Sequence, residues 1–148
     1  MSVATIHLRA SIGDLGQLHL DGCVRFPGVR RGLPDLLAAA DVFVFPSRFE
    51  GFGGALLEAM ALEKPIVASD LPAVREVVGP EEVAPLVPSN DRSRVSRAIA
   101  TTLRDASQAA HRAGLARAGF LQRFMIDGEA DEMVLVDERA LGRGRHAA

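Results

Sequence analysis

The sequence predicts an α/β fold, in which a parallel sheet of about four strands is flanked by helices and followed by a helical C-terminal part. Two observations support this prediction. Short apolar runs rich in β-branched residues alternate with segments of helical spacing, which is the pattern of βα units. The last third of the chain then carries two long stretches of helical spacing.

Composition and charge exclude several classes of protein. A chain of 148 residues is expected to form one domain with a sizeable core. The formal net charge of −2 gives no basic field for nucleic acid, and the single cysteine, Cys23, excludes an intrachain disulfide. No apolar run approaches the ~20 residues of a membrane helix, and charged residues interrupt the N-terminal segment where a signal peptide needs an apolar core. The sequence therefore predicts a soluble, cytoplasmic protein without a transmembrane segment.

The first part of the chain is predicted to contain a helix, a strand and a second helix. Residues 1–19 have apolar residues at helical spacing, although two glycines weaken the pattern. Residues 23–26 are predicted to form a short strand that ends at a Pro-Gly turn. Residues 33–40 are predicted to be helical, with Pro34 near the first turn, where proline is tolerated.

The central segment has the order strand, Gly-rich loop, helix. Residues 41–45 are apolar and rich in β-branched and aromatic residues, as in a strand buried on both faces, and Pro46 ends the run. A loop with three glycines follows, and a helical pattern begins at about residue 55 and continues to residue 62. This order places free backbone N–H groups at a helix N-terminus, where they can meet a phosphate.

Two glutamates, Glu50 and Glu58, frame this loop with seven residues between them. The neighbours of Glu58 in its helix are all apolar, so the helix is expected to be buried nearly all round. A buried carboxylate needs a partner, and a vicinal diol suits it because one carboxylate accepts two hydroxyl hydrogens. The stretch therefore has the groups to hold a diphosphate on backbone amides, a ribose on Glu58 and a second polyol on Glu50.

Each of these features also has a purely structural interpretation, since a Gly-rich βα loop alone is weak evidence for phosphate binding. Glu58 would be stable facing solvent near a helix N-terminus, and Glu50 would then be a surface residue of the loop. Ser47 follows the strand, at the position where open α/β sheets contact ligands. Alternatively, its hydroxyl forms a hydrogen bond with its own backbone. Phe49 and Phe52 are candidates for stacking on carbohydrate, and core packing is the expected use of at least one.

The second half of the chain continues the alternation and then becomes helical. A good N-cap region at residues 89–91 precedes the first of two long helices, and residues 128–148 are predicted to be a loosely ordered tail. The predicted elements are, in order, a strand at 66–69, a helix at 74–78, a strand at about 84–87, a helix at 92–104 and a helical stretch at about 108–124.

Motifs of several common active sites are absent from the sequence. The four histidines, His7, His19, His111 and His146, form no close metal-binding pair with one another or with Cys23. There is no G-x-S-x-G, no P-loop lysine motif and no complete G-x-G-x-x-G. The sequence therefore predicts no metal ligand set.

The stretch around Glu50 and Glu58 resembles the E-x(7)-E signature of retaining glycosyltransferases with the GT-B fold, glycosyltransferase family four (glycosyl transferases group 1). The matching residues of the signature are Pro46, Ser47, Glu50, Gly51, Phe52, Gly53, Leu57, Glu58, Ala59, Met60 and Ala61. The flanking strands and helices agree in order and spacing, so that the resemblance covers about residues 24–105. It implies that residues 1–127 form part of the Rossmann-like, C-terminal donor-binding domain of that fold.

The resemblance implies transfer of a sugar from a nucleoside-diphosphate sugar, with UDP or GDP as the nucleotide, to an acceptor hydroxyl with retention. It implies neither a metal ion nor another cofactor. Glu50 is the implied catalytic residue, on hydroxyls of the donor sugar, and Glu58 is implied to take the ribose hydroxyls. The other implied donor-binding residues are Ser47, Gly51, Phe52, Gly53 and Gly54 in the loop, and Gly28 and Val29 near the nucleobase.

The chain also departs from the family pattern. The earlier strands of the donor domain, with the Arg and Lys that neutralise the diphosphate, have no match, and Glu63 stands where the family usually has a helix-ending glycine. A helix N-terminus alone offers about half a positive charge. We therefore expect weak donor binding, no transfer by this chain alone, and a sheet edge open to self-association or to a partner chain.

Two alternative functions remain open at this point. The first is a non-catalytic nucleotide-sugar-binding or interaction module derived from such an enzyme, and the second is a sugar-nucleotide epimerase. The sequence also leaves open whether the chain is a gene fragment, half of a split enzyme or a truncated product. The base, the sugar, the acceptor, the linkage and a peripheral membrane association of the intact enzyme are equally open.

Overall fold

The computed structural model describes residues 3–5, 23–25 and 33–125. The strands are β1 (Val3–Thr5), β2 (Val42–Phe45), β3 (Ile66–Ser69) and β4 (Leu86–Val87). The helices are α1 (Leu33–Ala38), α2 (Gly54–Ala61), α3 (Pro72–Val78), α4 (Arg92–Arg104) and α5 (Ala106–Arg123). From α1 onward, each predicted element is present within a few residues of its expected bounds.

The four strands form one sheet in the order β1-β2-β3-β4, and every pair is parallel. In the register of β2 and β3, Phe45 lies opposite Ala68. All four residues of β2 are buried, as are all four of β3, which is expected of parallel strands covered on both faces. The predicted parallel sheet of about four strands is confirmed. Because the strands are parallel, their carboxyl ends meet at one edge.

The first strand of the sheet differs from the prediction. Residues 23–25 are not in a strand, and β1, which is Val3–Thr5, pairs with β2 instead. The strand predicted at 23–26 and the helix predicted from residue 1 are therefore wrong over the described residues. Val3 and Thr5 are β-branched and suit a pleated strand, whereas the helical spacing that suggested a helix begins at Ile6, outside the described residues.

One core cluster fills the space between the sheet and the helices α1, α2, α3 and α5. It buries side chains from alternate positions of β2 and β3, because successive residues of a strand point to opposite faces. Its largest fully buried members are Phe43, Phe45, Leu37, Leu56 and Met60. The rings of Phe43 and Phe45 lie 6.0 Å apart, centroid to centroid.

The second core cluster lies on the other face of the sheet, under α4. Val42, Val44, Val67 and Val87 point to this face, and α4 covers them with an apolar stripe that includes Ile99. The Asp91 side chain accepts a hydrogen bond of 2.9 Å from the Arg94 N–H and so caps α4, as the sequence predicts. Helices therefore cover both faces of the sheet, which confirms the layered α/β prediction.

Helix α2 ends in a Schellman motif in which a glutamate adopts the left-handed conformation. The Lys64 N–H donates to the Ala59 carbonyl at 2.9 Å, and the Glu63 N–H donates to the Met60 carbonyl at 3.0 Å. Glu63 has φ +52°, which makes it the only non-glycine residue with positive φ in the described chain. The helix thus ends in the usual way, and the glutamate carries the strain that a glycine would avoid.

Replacing this residue by glycine is expected to stabilise the protein. Glu63→Gly should raise the free energy of unfolding by about 1 kcal/mol, since glycine adopts the left-handed conformation without steric cost. Glu63→Ala is the control, because it removes the same side chain and keeps the unfavourable backbone conformation. Urea denaturation of both variants measures the difference, and equal stability of the two would show that the conformation carries no cost here.

Candidate functional site at the carboxyl edge of the sheet

The candidate site lies where β2 and β3 end side by side. After Phe45 the chain passes through Pro46 and Ser47 into a loop of six residues, 48–53, and α2 begins directly afterwards. Ser69 ends the neighbouring strand β3 and leads into the turn before α3. Ligands of open α/β sheets bind outside the carboxyl ends of the strands, so that this edge is the expected position of a site.

Glu50 is folded into the loop and accepts hydrogen bonds from the loop itself. Its Oε1 accepts from the Gly51 N–H at 3.2 Å and from the Gly53 N–H at 3.1 Å. Its Oε2 accepts from the Ser47 hydroxyl at 3.5 Å, a long contact. The Ser47 residue itself is only 8 % exposed to solvent. Sequence reasoning placed Ser47 and Glu50 at one site, and the structure brings them into contact.

Gly53 turns the loop into the helix. It adopts the left-handed conformation, with φ +72°, and its carbonyl accepts the first helical hydrogen bonds of α2, from the Leu56 N–H at 2.8 Å and the Leu57 N–H at 3.4 Å. Within the described residues, the N–H groups of Phe52, Gly54 and Ala55 have no hydrogen-bond acceptor. These are free donors of the kind that a helix N-terminus can offer to an anion.

The two adjacent glycines are expected to respond differently to substitution. A Cβ on Gly53 would lie 3.1 Å from Leu56 Cδ1 in a backbone conformation that L-residues avoid, whereas a Cβ on Gly54 would meet nothing within 4 Å. Gly53→Ala should lower the free energy of unfolding by about 1–2 kcal/mol. Gly54→Ala should change it by less than about 0.5 kcal/mol. Chemical denaturation checks the pair, and equal destabilisation would contradict the assigned loop geometry.

The prediction that α2 is buried nearly all round is wrong. Leu56, Ala59 and Met60 are buried, but Glu58 is exposed. Ala55, Leu57 and Ala61 are only half-buried, so the face of α2 that carries Glu58 is not covered by the core. Glu58 lies four residues after the exposed Gly54, on the same face of the helix, and helical side chains tilt toward the N-terminus. Glu58 therefore shares a face of α2 with the open first turn.

Neither phenylalanine of the loop packs in the core. Phe49 is 94 % exposed and Phe52 is 58 % exposed. The expectation that at least one of them packs in the core is therefore wrong. The phenylalanine rings that do pack in the core are those of Phe43 and Phe45, the second and fourth residues of β2. Both loop rings remain available to a ligand or to another surface.

The end of β3 contributes polar groups that sequence reasoning did not select. Ser69 is fully buried, and its hydroxyl has no hydrogen-bond partner within the described residues. The next residue, Asp70, accepts two hydrogen bonds from Arg75, at 2.5 Å from Nε and 2.8 Å from Nη2. Arg75 also contacts Glu81 at 3.3 Å. The available signal was a serine at the end of each buried strand: Ser47 lies two residues after β2, and Ser69 is the last residue of β3.

The Asp70–Arg75 pair is expected to make the free energy of unfolding depend on pH in the acid range. The hydrogen bond from Arg75, with its positive charge, holds the pKa of Asp70 below the ordinary value, against a smaller opposing effect of burial. A carboxyl whose pKa is lower in the folded protein stabilises it above the unfolded pKa, ~3.9, and loses that contribution as the pH falls through the folded pKa. Asp70→Asn should therefore lose less stability than the parent protein between about pH 5 and pH 3.

Urea denaturation at the two pH values measures this difference. Glu82→Gln is the matched control, because Glu82 is exposed in the turn before β4 and loses the same charge on substitution. If Asp70→Asn and Glu82→Gln alter the acid sensitivity equally, the pair with Arg75 does not stabilise the fold.

Several predicted features lie outside the described residues. Gly28 and Val29, assigned to the nucleobase, lie there, as does the tail at 128–148. No group of three or more His, Cys, Asp or Glu side chains within the described residues could hold a metal ion. None of the described helices is both long and apolar enough to cross a membrane.

Comparison with known proteins shows similarity to enzymes named for sugar transfer. A family model described as Glycosyl transferases group 1 matches residues 7–105. The lipopolysaccharide core biosynthesis mannosyltransferase LpsB of Rhizobium meliloti (strain 1021) is 38% identical over 119 residues, which are 78% of this chain and 33% of that protein. The O-antigen chain mannosyltransferase B of Escherichia coli is 39% identical over 102 residues, which are 66% of this chain and 26% of that protein. The chain thus spans between about a quarter and a third of the length of these curated relatives.

Solved structures share the fold. A structure of Anabaena HepE in complex with UDP-glucose superposes with a TM-score of 0.72 at 31% identity, over 76% of this chain and 31% of that chain. Sucrose-phosphate synthase from Thermosynechococcus elongatus superposes with a TM-score of 0.73 at 26% identity, over 96% of this chain and 38% of that chain. The α/β arrangement described above is therefore that of glycosyltransferase structures.

Proposed function

The chain belongs to the glycosyl transferases group 1 family, and we propose that its carboxyl-edge site binds the nucleoside-diphosphate sugar from which a sugar is transferred. The observation that carries this proposal is the arrangement of β2, its loop and α2. Free N–H groups of Phe52, Gly54 and Ala55 lie in the segment that two carboxylates, Glu50 and Glu58, frame in the sequence. The amides suit phosphate oxygens, and the carboxylates suit hydroxyl groups.

The two carboxylates would bind different parts of one ligand. Glu58 is exposed on the same face of α2 as Gly54. A phosphate bound to the Gly54 amide would therefore bring the attached ribose close to the Glu58 carboxylate. Glu50 precedes the free amides in the loop after β2, and there it would meet the sugar. A nucleoside-diphosphate sugar has diol, diphosphate and sugar hydroxyls in this order. UDP-glucose in the HepE complex supports this ligand class, with UDP or GDP as the nucleotide.

We propose that the transfer leaves the anomeric configuration unchanged and needs no metal ion. The resemblance of Glu50, Glu58 and the intervening loop to the retaining E-x(7)-E signature supports retention. Glu50 would orient the donor sugar, while the amides at the start of α2 would stabilise charge that develops on the leaving diphosphate. The acceptor would be a hydroxyl group.

The extent of the match limits what this chain is expected to do. It spans between about a quarter and a third of its relatives, and Arg48 is the only cation in the loop. We therefore propose that the 148-residue chain binds donor weakly and transfers no sugar by itself. Detectable transfer to a sugar acceptor by the purified chain would contradict this part of the proposal.

The sheet also offers a surface for association. Within the described residues, β1 is paired with β2 on one side and has no strand on the other. An unpaired strand edge is a template for another chain. We propose self-association or a partner chain at this edge, and a concentration-independent monomer in analytical ultracentrifugation would contradict it.

Calorimetric titration of the chain with UDP-glucose and GDP-mannose tests the proposed donor binding. Saturable binding of at least one is expected, and Glu58→Gln should weaken it about tenfold, because hydrogen bonds to a charged acceptor contribute ~1.5–3 kcal/mol. Glu82→Gln is the matched control, since it removes the same charge from a turn at the opposite edge of the sheet. Equal weakening in both variants would show a general charge effect in place of ribose binding.

A further inference from the structure

The end of α2 that lies away from the candidate site is held by a side chain of α5. The carbonyl of Ala61, the last residue of α2, accepts a hydrogen bond from Arg117 Nη1. The carbonyls of Ala59 and Met60 are paired with the backbone in the Schellman motif. The last carbonyls of a helix have no donor within the helix, so Arg117 supplies one that the local backbone does not. The C-terminal end of α2 is therefore anchored from a distant part of the chain.

Helix α5 is a firm support for this contact. Ala116 is buried and belongs to the same core cluster as Ala59 and Met60 of α2. Arg117 follows Ala116 directly, so its backbone is fixed by the packing between the two helices, while the residue itself is exposed. Arg117 also lies beyond residues 7–105, which the family model matches. The signature stretch of the family therefore does not include this contact.

The length of α2 makes its two ends depend on each other. The helix has eight residues, Gly54–Ala61, which is about two turns. Helices of this length are marginal without tertiary contacts, and helix formation is cooperative, so an end that frays weakens the neighbouring turn. No side chain caps the start of α2, where the Leu56 N–H donates to the Gly53 carbonyl at 2.8 Å. The order of the first turn therefore depends on the anchor at the last turn as well as on the buried side chains.

The charge of Arg117 is too far from the first turn to act strongly there by itself. With a rise of ~1.5 Å per residue, the ends of a helix as long as α2 are about 12 Å apart. That distance exceeds the Debye length of ~10 Å at ~0.1 M ionic strength, so salt screens most of the interaction between exposed charges. An effect of Arg117 on the first turn must therefore pass through the order of the helix.

We propose that Arg117 is a positioning residue for the candidate site. By anchoring the last turn of α2, it keeps the free N–H groups of Gly54 and Ala55 in the arrangement that receives the diphosphate. This proposal rests on the proposed function for the ligand and is independent of it for the order of the helix. Arg117 touches no ligand and acts only through α2.

Arg123 offers an internal comparison. It lies on the same helix and donates through Nη2 to the carbonyl of Glu76, near the end of α3. Its Nη1 would lie 3.2 Å from a Cβ on Gly79, so the glycine leaves room for the guanidinium. Arg123 thus anchors α3 as Arg117 anchors α2. Arg123→Met should leave the first turn of α2 unchanged, because its contact is with a different helix.

Three further substitutions test the proposal on the 148-residue chain. Arg117→Met removes the donor and the charge but keeps a long apolar stem, and Arg117 is exposed, so the variant should fold. Arg117→Lys keeps a charged donor. Arg112→Met is the matched control, since Arg112 lies on α5 and forms no hydrogen bond or ion pair within the described residues. The readouts are hydrogen exchange at the Leu56 and Leu57 amides of the unliganded chain, by NMR, and the dissociation constant of UDP.

Arg117→Met is expected to accelerate exchange at Leu56 and Leu57 about fivefold and to weaken UDP binding about fivefold, in line with the loss of one exposed hydrogen bond. Arg117→Lys should keep both within about twofold of the parent, and Arg112→Met and Arg123→Met should alter neither. The ratio of the UDP dissociation constants of Arg117→Met and the parent should be the same at low and high salt, because the effect passes through the order of the helix.

Two results would overturn the proposal. Faster exchange confined to the Leu62, Glu63 and Lys64 amides would show that Arg117 caps only the end of the helix. A UDP affinity that weakens only at low salt would assign the effect to the charge of Arg117 in place of its anchoring contact.

The exchange measurement separates this proposal from the proposed function. If the parent chain binds no UDP, the proposed function fails, while exchange at Leu56 and Leu57 still decides whether Arg117 orders the first turn. If the parent chain binds UDP and Arg117→Met binds it equally well, nucleotide binding stands and the positioning role of Arg117 fails.

Discussion

Phe43→Ala is expected to lower the free energy of unfolding by about 3–5 kcal/mol, the usual cost of truncating a buried aromatic residue. Phe43 is fully buried in β2 and stacks near Phe45, with ring centroids 6.0 Å apart. Its side chain lies in the cluster that joins the sheet to α1, α2 and α3. The alanine would leave a cavity among rigid strand and helix neighbours that can close only in part. Urea denaturation followed by circular dichroism measures the change.

Phe49→Ala is the matched control for this substitution. Phe49 lies four residues beyond the end of β2 and is 94 % exposed. Phe49→Ala deletes the same type of ring at an exposed position. It should therefore change the free energy of unfolding by less than about 0.5 kcal/mol. Comparable losses in the two variants would contradict the position of β2 in the core.

Leu56→Ala is expected to be the second large effect, a loss of about 2–5 kcal/mol. Leu56 is fully buried in the first turns of α2, and its Cδ1 is the atom closest to the position that a Cβ on Gly53 would take, at 3.1 Å. The side chain thus packs the core and also fixes the glycine that turns the loop into the helix. Denaturation measures the stability, and hydrogen exchange at Gly53 reports the loop separately.

A double-mutant cycle tests this connection between the core and the loop. Gly53→Ala should cost less in the Leu56→Ala background than in the parent, because truncating Leu56 removes the close contact and leaves only the backbone strain. A difference of at least about 0.5 kcal/mol is expected for residues in contact. Strict additivity would show that Leu56 does not constrain the Gly53 position.

The parts of the fold that follow from local physics could be predicted from the sequence. Residues 42–45 alternate valine and phenylalanine, and both faces are apolar, so a buried parallel strand was indicated. Asp91 was indicated as a cap because it precedes a segment of helical spacing. The spacing of Glu50 and Glu58 around a Gly-rich loop indicated the candidate site.

Features that depend on tertiary contacts could not be predicted from the sequence in the same way. The sequence predicted a strand at residues 23–26 and a helix from residue 1, whereas Val3–Thr5 pairs with β2. Propensity did not indicate this pairing, because the two strands are far apart in the sequence. The sequence favoured a buried Glu58 and left a solvent-facing one open, because an apolar helix sequence does not show which of its faces another element covers. The contacts of Glu50 depend on the left-handed conformation of Gly53, which permits the loop to fold back on the carboxylate.

We propose that the carboxyl-edge loop and the start of α2 bind a nucleoside-diphosphate sugar, and an NMR titration of the labelled chain with UDP-glucose and GDP-mannose tests this proposal. Saturable shift changes are expected, concentrated at the amides of Phe52, Gly54, Ala55 and Glu58. No shift change up to millimolar donor in a folded chain would contradict the claim. Changes confined to the opposite edge, at the groove lined by Glu63, Pro65 and Ala109, would contradict it equally.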